Sequence, residues 1–339
     1  VVFHRTVVSP YDSKTRPKVF HFFLRTARRR GSRPTPRPAI GYLVSHTITD
    51  GLATMSEKNI KRLHPALRDD IGDLMTQRPL PGPHLDQLDP FLFLNHHGPQ
   101  IYPPANRGLP FGPHPHRGFE TVTFVVDGAL MHKDSAGFQS TIGAGGVQWM
   151  TAGRGIVHAE ISPPEFLAHG GPLEILQLWL NLPARLKMTA PAYTGVQRDQ
   201  IPALAQDGGK AVLHLIAGEW EGVTGPVQSL TGTFMSTIAL SAGARVRLPG
   251  LLARTVFLYI VRGTVQIGPD RATAFQLVEL SDAGDSVLLV AETDALLVFG
   301  HAAPLGEPVV AHGPFVMNTR EEIAVAIADY QAGRFQRLD

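Results

Sequence analysis

From about Asp89 onward the chain is a succession of short apolar runs, each cut by Gly, Pro or Asn, and this fragmentation limits the fold more than any other feature. Residues 119–126 (Phe-Glu-Thr-Val-Thr-Phe-Val-Val) are rich in β-branched and aromatic side chains and stop at Asp127-Gly128, a pair that favours a tight hairpin turn. Residues 90–94, 129–133, 139–142, 146–150 and 173–182 follow the same pattern. After an interrupted stretch at 183–209, read as a connector, strands are predicted at 211–217, 234–240, 244–248, 254–261, 264–267, 275–280, 286–290 and 295–300. Strands this short and this regularly spaced build a sandwich or a barrel, not a parallel sheet with helices between its strands. The similar strand content of the two halves predicts an all-β chain of two tandem antiparallel barrels. One helix is expected, at 319–332, opened by the capping box Thr319-Arg-Glu-Glu322 and closed at Gly333. Ile323, Ala324, Ile327, Ala328 and Tyr330–Gln331 fit its apolar face.

Charge divides the chain unevenly. Residues 1–38 hold ten Lys/Arg and one acid, Asp12, which leaves 21 Lys/Arg against 28 Asp/Glu in the remainder. The body is acidic, so the basic overall balance gives no reason to expect nucleic-acid binding by the folded part. Residues 1–54 lack a sustained period and read as a basic, poorly ordered extension. Three origins fit: a transit peptide, an upstream extension before a true start at Met55, or a basic arm for anionic partners. The second is favoured because an ordinary globular beginning follows Met55. The expected compartment is then the cytoplasm, or an organelle if the segment is a transit peptide. No apolar run approaches a membrane span.

Chemistry concentrates in two places. The first is Gly108-Leu-Pro-Phe-Gly-Pro-His114-Pro-His116-Arg-Gly-Phe-Glu120, and the second Gln148-Trp-Met-Thr-Ala-Gly-Arg-Gly-Ile-Val-His158-Ala-Glu160. In a strand, residues i and i+2 share a face. His114 with His116, and His158 with Glu160, would therefore each aim two side chains the same way. Such pairs on facing strands of a barrel would converge on one point. The chain has no cysteine, so a metal there must be held by imidazole, carboxylate and water. Three imidazoles and a carboxylate suit Fe, Mn, Cu, Ni or Zn. Trp149, Met150, Phe119 and Phe124 read as core. Arg117 and Arg154 read as loop braces. Gly118, Gly153 and Gly155 read as sites of tight turns or close backbone approach. His214, His301 and His312 have no ligand spacing, so one barrel alone is expected to hold metal.

The spacing Gly108-x5-His114-x-His116-x3-Glu120, followed by Arg154-Gly155-Ile-Val-His158, matches the motifs of the cupin barrels. His-Pro-His-Arg-Gly-Phe-Glu-Thr-Val, the 148–160 stretch and Gly313-Pro-Phe-Val-Met-Asn-Thr-Arg-Glu-Glu-Ile together resemble the pirin family of bicupins, over roughly residues 70–337. That resemblance implies two tandem cupin-type barrels: a metal-binding one at 70–190, a metal-free one at 200–312, and a C-terminal segment with its helix at 313–339. It implies His114, His116, His158 and Glu160 as ligands, with Fe(II) the favoured metal. Glu120, at the position where many cupins place a carboxylate ligand, is expected to support the ligands from behind. The implied activity resembles that of quercetin 2,3-dioxygenase, in which O2 opens a flavonol ring and Glu160 takes the substrate's hydroxyl proton. The alternative implied by the same family is a non-catalytic, iron-dependent regulator that binds a transcription factor or a metabolic enzyme. A sugar-phosphate isomerase would need basic residues lining the barrel at a phosphate-binding spacing, and the sequence offers none.

Overall fold

A computed structural model describes residues 56–335, so the readings made for residues 1–54 lie outside the described residues. The architecture is two antiparallel barrels, each a seven-stranded sheet closed by a four-stranded one, with a short C-terminal helix. In the first barrel the large sheet runs Ala192–Val196, Val147–Thr151, Phe119–Asp127, Gly171–Asn181, Phe91–Tyr102, Thr76–Leu80, Leu67–Arg68. Its small sheet runs Phe111–His116, Ile156–Ile161, Ala129–Asp134, Gln139–Gly143. The second barrel has the same plan. Its large sheet runs Ile60–Pro65, Gln276–Leu280, Thr255–Arg262, Ala295–Ala302, Phe234–Leu240, Ala211–Ala217, Ala203–Gln206. Its small sheet runs Arg245–Leu248, Val287–Ala291, Thr264–Ile267, Asp270–Thr273.

Neither barrel is one continuous stretch of chain. Ile60–Pro65, before the first barrel, pairs with Gln276–Leu280 of the second. The stretch read as a connector carries Ala192–Val196, an edge strand of the first barrel, and Ala203–Gln206, an edge strand of the second. Its prolines sit in the turns and leave the strands free to pair, which composition alone does not reveal. Residues 90–94 also proved to be only the beginning of a strand, Phe91–Tyr102, because the polar Asn95, His96 and His97 continue it in the interior.

The barrels pack through the outer faces of their large sheets. Val122, Phe124, Leu176 and Leu178 from one meet Phe257, Tyr259, Leu277 and Val298 from the other in a single apolar cluster. A polar link crosses the same interface. Buried His96 bonds to Tyr259 Oη at 3.0 Å and to Glu174 at 2.9 Å, and Glu174 also pairs with Arg262.

The C-terminal helix spans Arg320–Gln331 with the expected Thr319/Glu322 capping box. Its packed face keeps Ile323, Ile327 and Tyr330 of the expected one and departs from it at the alanines. Ile323, Ala326 and Asp329 are buried, while Ala324 and Ala328 are exposed. Asp329 turns inward because Arg117 pairs with it there. Among the described residues no helix is long and apolar enough to cross a membrane.

Candidate metal centre

The two ligand segments become strands because alternation gives each a face turned into the barrel. They are not facing strands, as the sequence suggested, but hydrogen-bonded neighbours in the small sheet. Phe111–His116 runs antiparallel to Ile156–Ile161, with His158 directly opposite His114. His116 is on the same strand face as His114, so all three rings meet. Their centroids lie 4.8 Å (His114–His116), 4.4 Å (His114–His158) and 4.9 Å (His116–His158) apart. One nitrogen from each lies within 4.8 Å of the others.

The hydrogen bonds around these rings select which nitrogen is free. His114 Nδ1–H donates to the Gly112 carbonyl at 2.7 Å, and His116 Nδ1–H to the Pro314 carbonyl at 3.3 Å. A carbonyl only accepts, so each ring keeps its Nε2 lone pair for another use. His116 Nε2 and both nitrogens of His158 are buried without a protein partner. Orphaned buried nitrogens are costly and call for an explanation, and a bound cation would supply one. Burial holds His116 and His158 well below the ordinary imidazole pKa, and the adjacent imidazoles reinforce this. Both are neutral near pH 7, the form that binds metal. Phe119 and Trp179 pack against His116 at 5.0 and 5.4 Å, and His114 is the most exposed of the three.

Glu160 is not part of the close cluster. The register shift opposite Glu160 lies on Phe111–His116, and Ile156–Ile161 pairs regularly with Ala129–Asp134, so Glu160 keeps the strand face of His158. Its carboxylate instead meets a polar row on the opposite sheet. Thr123 donates to Oε1 at 3.0 Å, Gln148 donates to the same oxygen, and Gln177 to Oε2. Thr123 is the cross-strand partner of both Gln177 and Gln148, so one line of the sheet presents all three donors.

Glu120 takes a different place from the expected one. Its hydrogen bond goes to Thr151 Oγ1 at 2.7 Å, and none links it to a histidine. The strand places Phe119, Thr121 and Thr123 on the site's side, so alternation turns Glu120 to the other face, with Val122 and Phe124. Burial raises its pKa. Phe119, expected as plain core, touches His116, while Trp149 and Phe124 are core.

Sequence reasoning passed over His132. It is fully buried, lies across from Glu160 on Ala129–Asp134, and its ring is 5.4 Å from His158. Its Nε2 bonds to Asp134 at 2.9 Å, and its face stacks on Tyr193 at 4.0 Å. Tyr193 Oη in turn donates to Gln148 Oε1 at 3.2 Å, which turns that amide's NH2 toward Glu160. The spacing His132-Lys-Asp134 was a readable signal, an i, i+2 pair on one strand face. Gln148 and Gln177 were readable as lone polar residues inside apolar runs.

Two barrels of this plan, one with three histidines converging inside it, define a bicupin. Residues 73–180 match the pirin family and residues 235–336 the pirin C-terminal cupin domain. A pirin-like protein of Caulobacter vibrioides is 40% identical over 259 residues, 76% of this chain and 91% of that protein. Human pirin is 39% identical over 267 residues, 75% of this chain and 86% of its own. A crystal structure of quercetin 2,3-dioxygenase from Acinetobacter baumannii superposes with a TM-score of 0.78 at 35% identity, over 83% of this chain and 99% of that one. The chain belongs to the pirin family.

Proposed function

We propose that this chain is a metal-dependent dioxygenase that opens a flavonol-like ring with O2 in its N-terminal barrel, with Fe(II) as the metal. The observation that carries the reading is the set of three converging imidazoles whose inward nitrogens have no protein partner. The similarity to a quercetin 2,3-dioxygenase structure supports the substrate class.

His114, His116 and His158 would hold the metal, the latter two through nitrogens kept neutral by burial, with Glu160 as the fourth ligand. A redox-active metal held there would supply Lewis-acid polarisation of a chelating substrate's hydroxyl and keto oxygens and electron transfer to O2. Glu160 has a second task. Thr123, Gln148 and Gln177 would hold its carboxylate in place while it takes the substrate's hydroxyl proton. Phe119 and Trp179 wall off the site and exclude water from one side.

The second reading is a regulator, in which metal shapes a surface that a transcription factor or metabolic enzyme recognises. The deep burial of His116 and His158, at 1% and 0% exposure, favours it by leaving His114 as the accessible ligand. Metal analysis of purified protein, anaerobic titration with quercetin and then addition of O2 separates the two. The dioxygenase reading expects a flavonol spectral shift, then O2 uptake with release of carbon monoxide, all lost in His114→Ala. A metal-loaded protein with no flavonol shift would leave the regulator.

A further inference from the structure

The carbonyl that orients His116 comes from Pro314, 198 residues further along the chain. Pro314 begins a strap that lies against the ligand loop. Its carbonyl also accepts from Arg117 N–H at 3.3 Å, and Val316 N–H donates back to the Arg117 carbonyl at 3.0 Å. The strap sits so close that a Cβ on Gly118, whose φ is +89°, would lie 2.0 Å from the Val316 carbonyl oxygen. Buried Lys187 ties the two together, donating to the carbonyls of Gly118 at 2.8 Å and Val316 at 3.1 Å.

Arg117 joins this strap to both ligand strands and to the C-terminal helix. It directly follows His116. Its Nε donates to the Arg154 carbonyl at 2.6 Å, in the turn that leads to His158. Its Nη1 donates to Asp329 Oδ2 at 2.8 Å on the helix, and its guanidinium lies 4.6 Å over the ring of Phe335. Phe335 in turn packs on Gly155, where any Cβ would meet the ring at 2.6 Å. Arg117 and Asp329 are largely shielded from solvent, at 5% and 12% side-chain exposure, so their pairing is screened far less than a surface ion pair.

We propose that the C-terminal segment is a working part of the metal centre: Asp329 is a positioning residue that, through Arg117, holds the Pro314 carbonyl where it keeps His116 in the tautomer with Nε2 free. A ligand imidazole whose far nitrogen loses its acceptor no longer has its tautomer and ring orientation held, and loss of such a partner costs about 10- to 100-fold in metal affinity. The inference rests on the three histidines binding metal, as proposed above.

The test is competition between the full-length protein and a chelator for Ni(II), a probe that does not change redox state during the measurement. Asp329→Ala is expected to weaken Ni(II) binding at least about tenfold, with the far-UV spectrum of the wild type. Arg334→Ala removes the exposed second partner of Asp329 and should stay within twofold of wild type. An Asp329→Ala protein that is folded and binds as tightly as wild type overturns the proposal. Wild type that binds no Ni(II) overturns the metal-centre reading beneath it. The 15N resonances of His116 in metal-free wild type give an arm independent of any variant's folding. The proposal requires a protonated Nδ1 and a bare Nε2, and the reverse tautomer sinks it.

Discussion

The two barrels share one strand order and differ in what that order encloses. In the first, the cross-strand pair of the small sheet is His114 with His158. In the second, the corresponding strands pair Val246 with Leu289 and Leu248 with Val287, all buried apolar. The large sheets diverge in the same way. The first carries the row Gln177–Thr123–Gln148, and on the matching strands of the second a row reads Phe299–Leu258–Val278. A buried polar group without a partner costs roughly 1–3 kcal/mol, whereas a buried Leu or Val contributes roughly 1.5–3 kcal/mol. The second barrel is therefore filled for stability. The first holds a polar interior in which His116 Nε2 and both His158 nitrogens have no protein partner, and it leans on its neighbour through the shared apolar interface.

The largest effect should come from putting a polar group into the filled barrel. Leu289→Asn is expected to destabilise the protein by about 3–5 kcal/mol, through a lost leucine and an unsatisfied amide. Denaturant unfolding would read this, and a change below about 1 kcal/mol would break the contrast between the barrels.

Acid should act next, and on the first barrel before the second. Burial, aided by His96 and Arg78, holds His97 down to about 3. His96 is also at about 3, and His116 and His158 are well below the ordinary value. The second barrel has His301, likewise held at about 3 by burial and Arg254, and a milder depression at His214. An unfolded chain takes up these protons near pH 6.5, while the folded chain refuses them at that pH, and at His96, His97 and His301 until about pH 3. Stability is thus complete above pH 6.5 and falls below it, by about 1.4 kcal/mol per pH unit for each such histidine. Hydrogen exchange of metal-free protein between pH 7 and 5 should show protection falling in the first barrel first. Equal loss in both would contradict the comparison.

A smaller effect is expected from making the first barrel resemble the second. His158→Leu should abolish metal binding yet change the stability of metal-free protein by no more than about 1 kcal/mol, because it removes two orphaned nitrogens along with the ring. Metal titration and thermal unfolding of the same sample check both halves. The smallest effect belongs to the surface. Arg271→Ala breaks an ion pair with Glu292 whose arginine is 71% exposed, and its effect should stay within about 0.5 kcal/mol in denaturant unfolding.

Several features were legible without coordinates. Strands 211–217, 234–240 and 264–267 fall where their apolar runs and turn residues put them, and the capping box opened the helix as expected. Those are local matters of residue type and spacing. The three histidines were legible for the same reason, since i, i+2 geometry needs only a strand. Glu160 shows where that reasoning stops. It shares the strand face of His158, but its carboxylate meets Thr123, Gln148 and Gln177, donors that only the closed barrel brings opposite it.

What the sequence by itself determined is the all-β class, the pair of barrels and the His114/His116/His158 set. Tertiary structure decided that the ligand strands are neighbours and not opposed. It also decided that Ile60–Pro65 completes the distant barrel, that His132 and Tyr193 stand behind Glu160, and that Pro314 orients His116. Each of these joins residues that chain connectivity leaves apart, so each depends on register and loop closure. Those are properties of the packed whole, which a single run of residues does not carry.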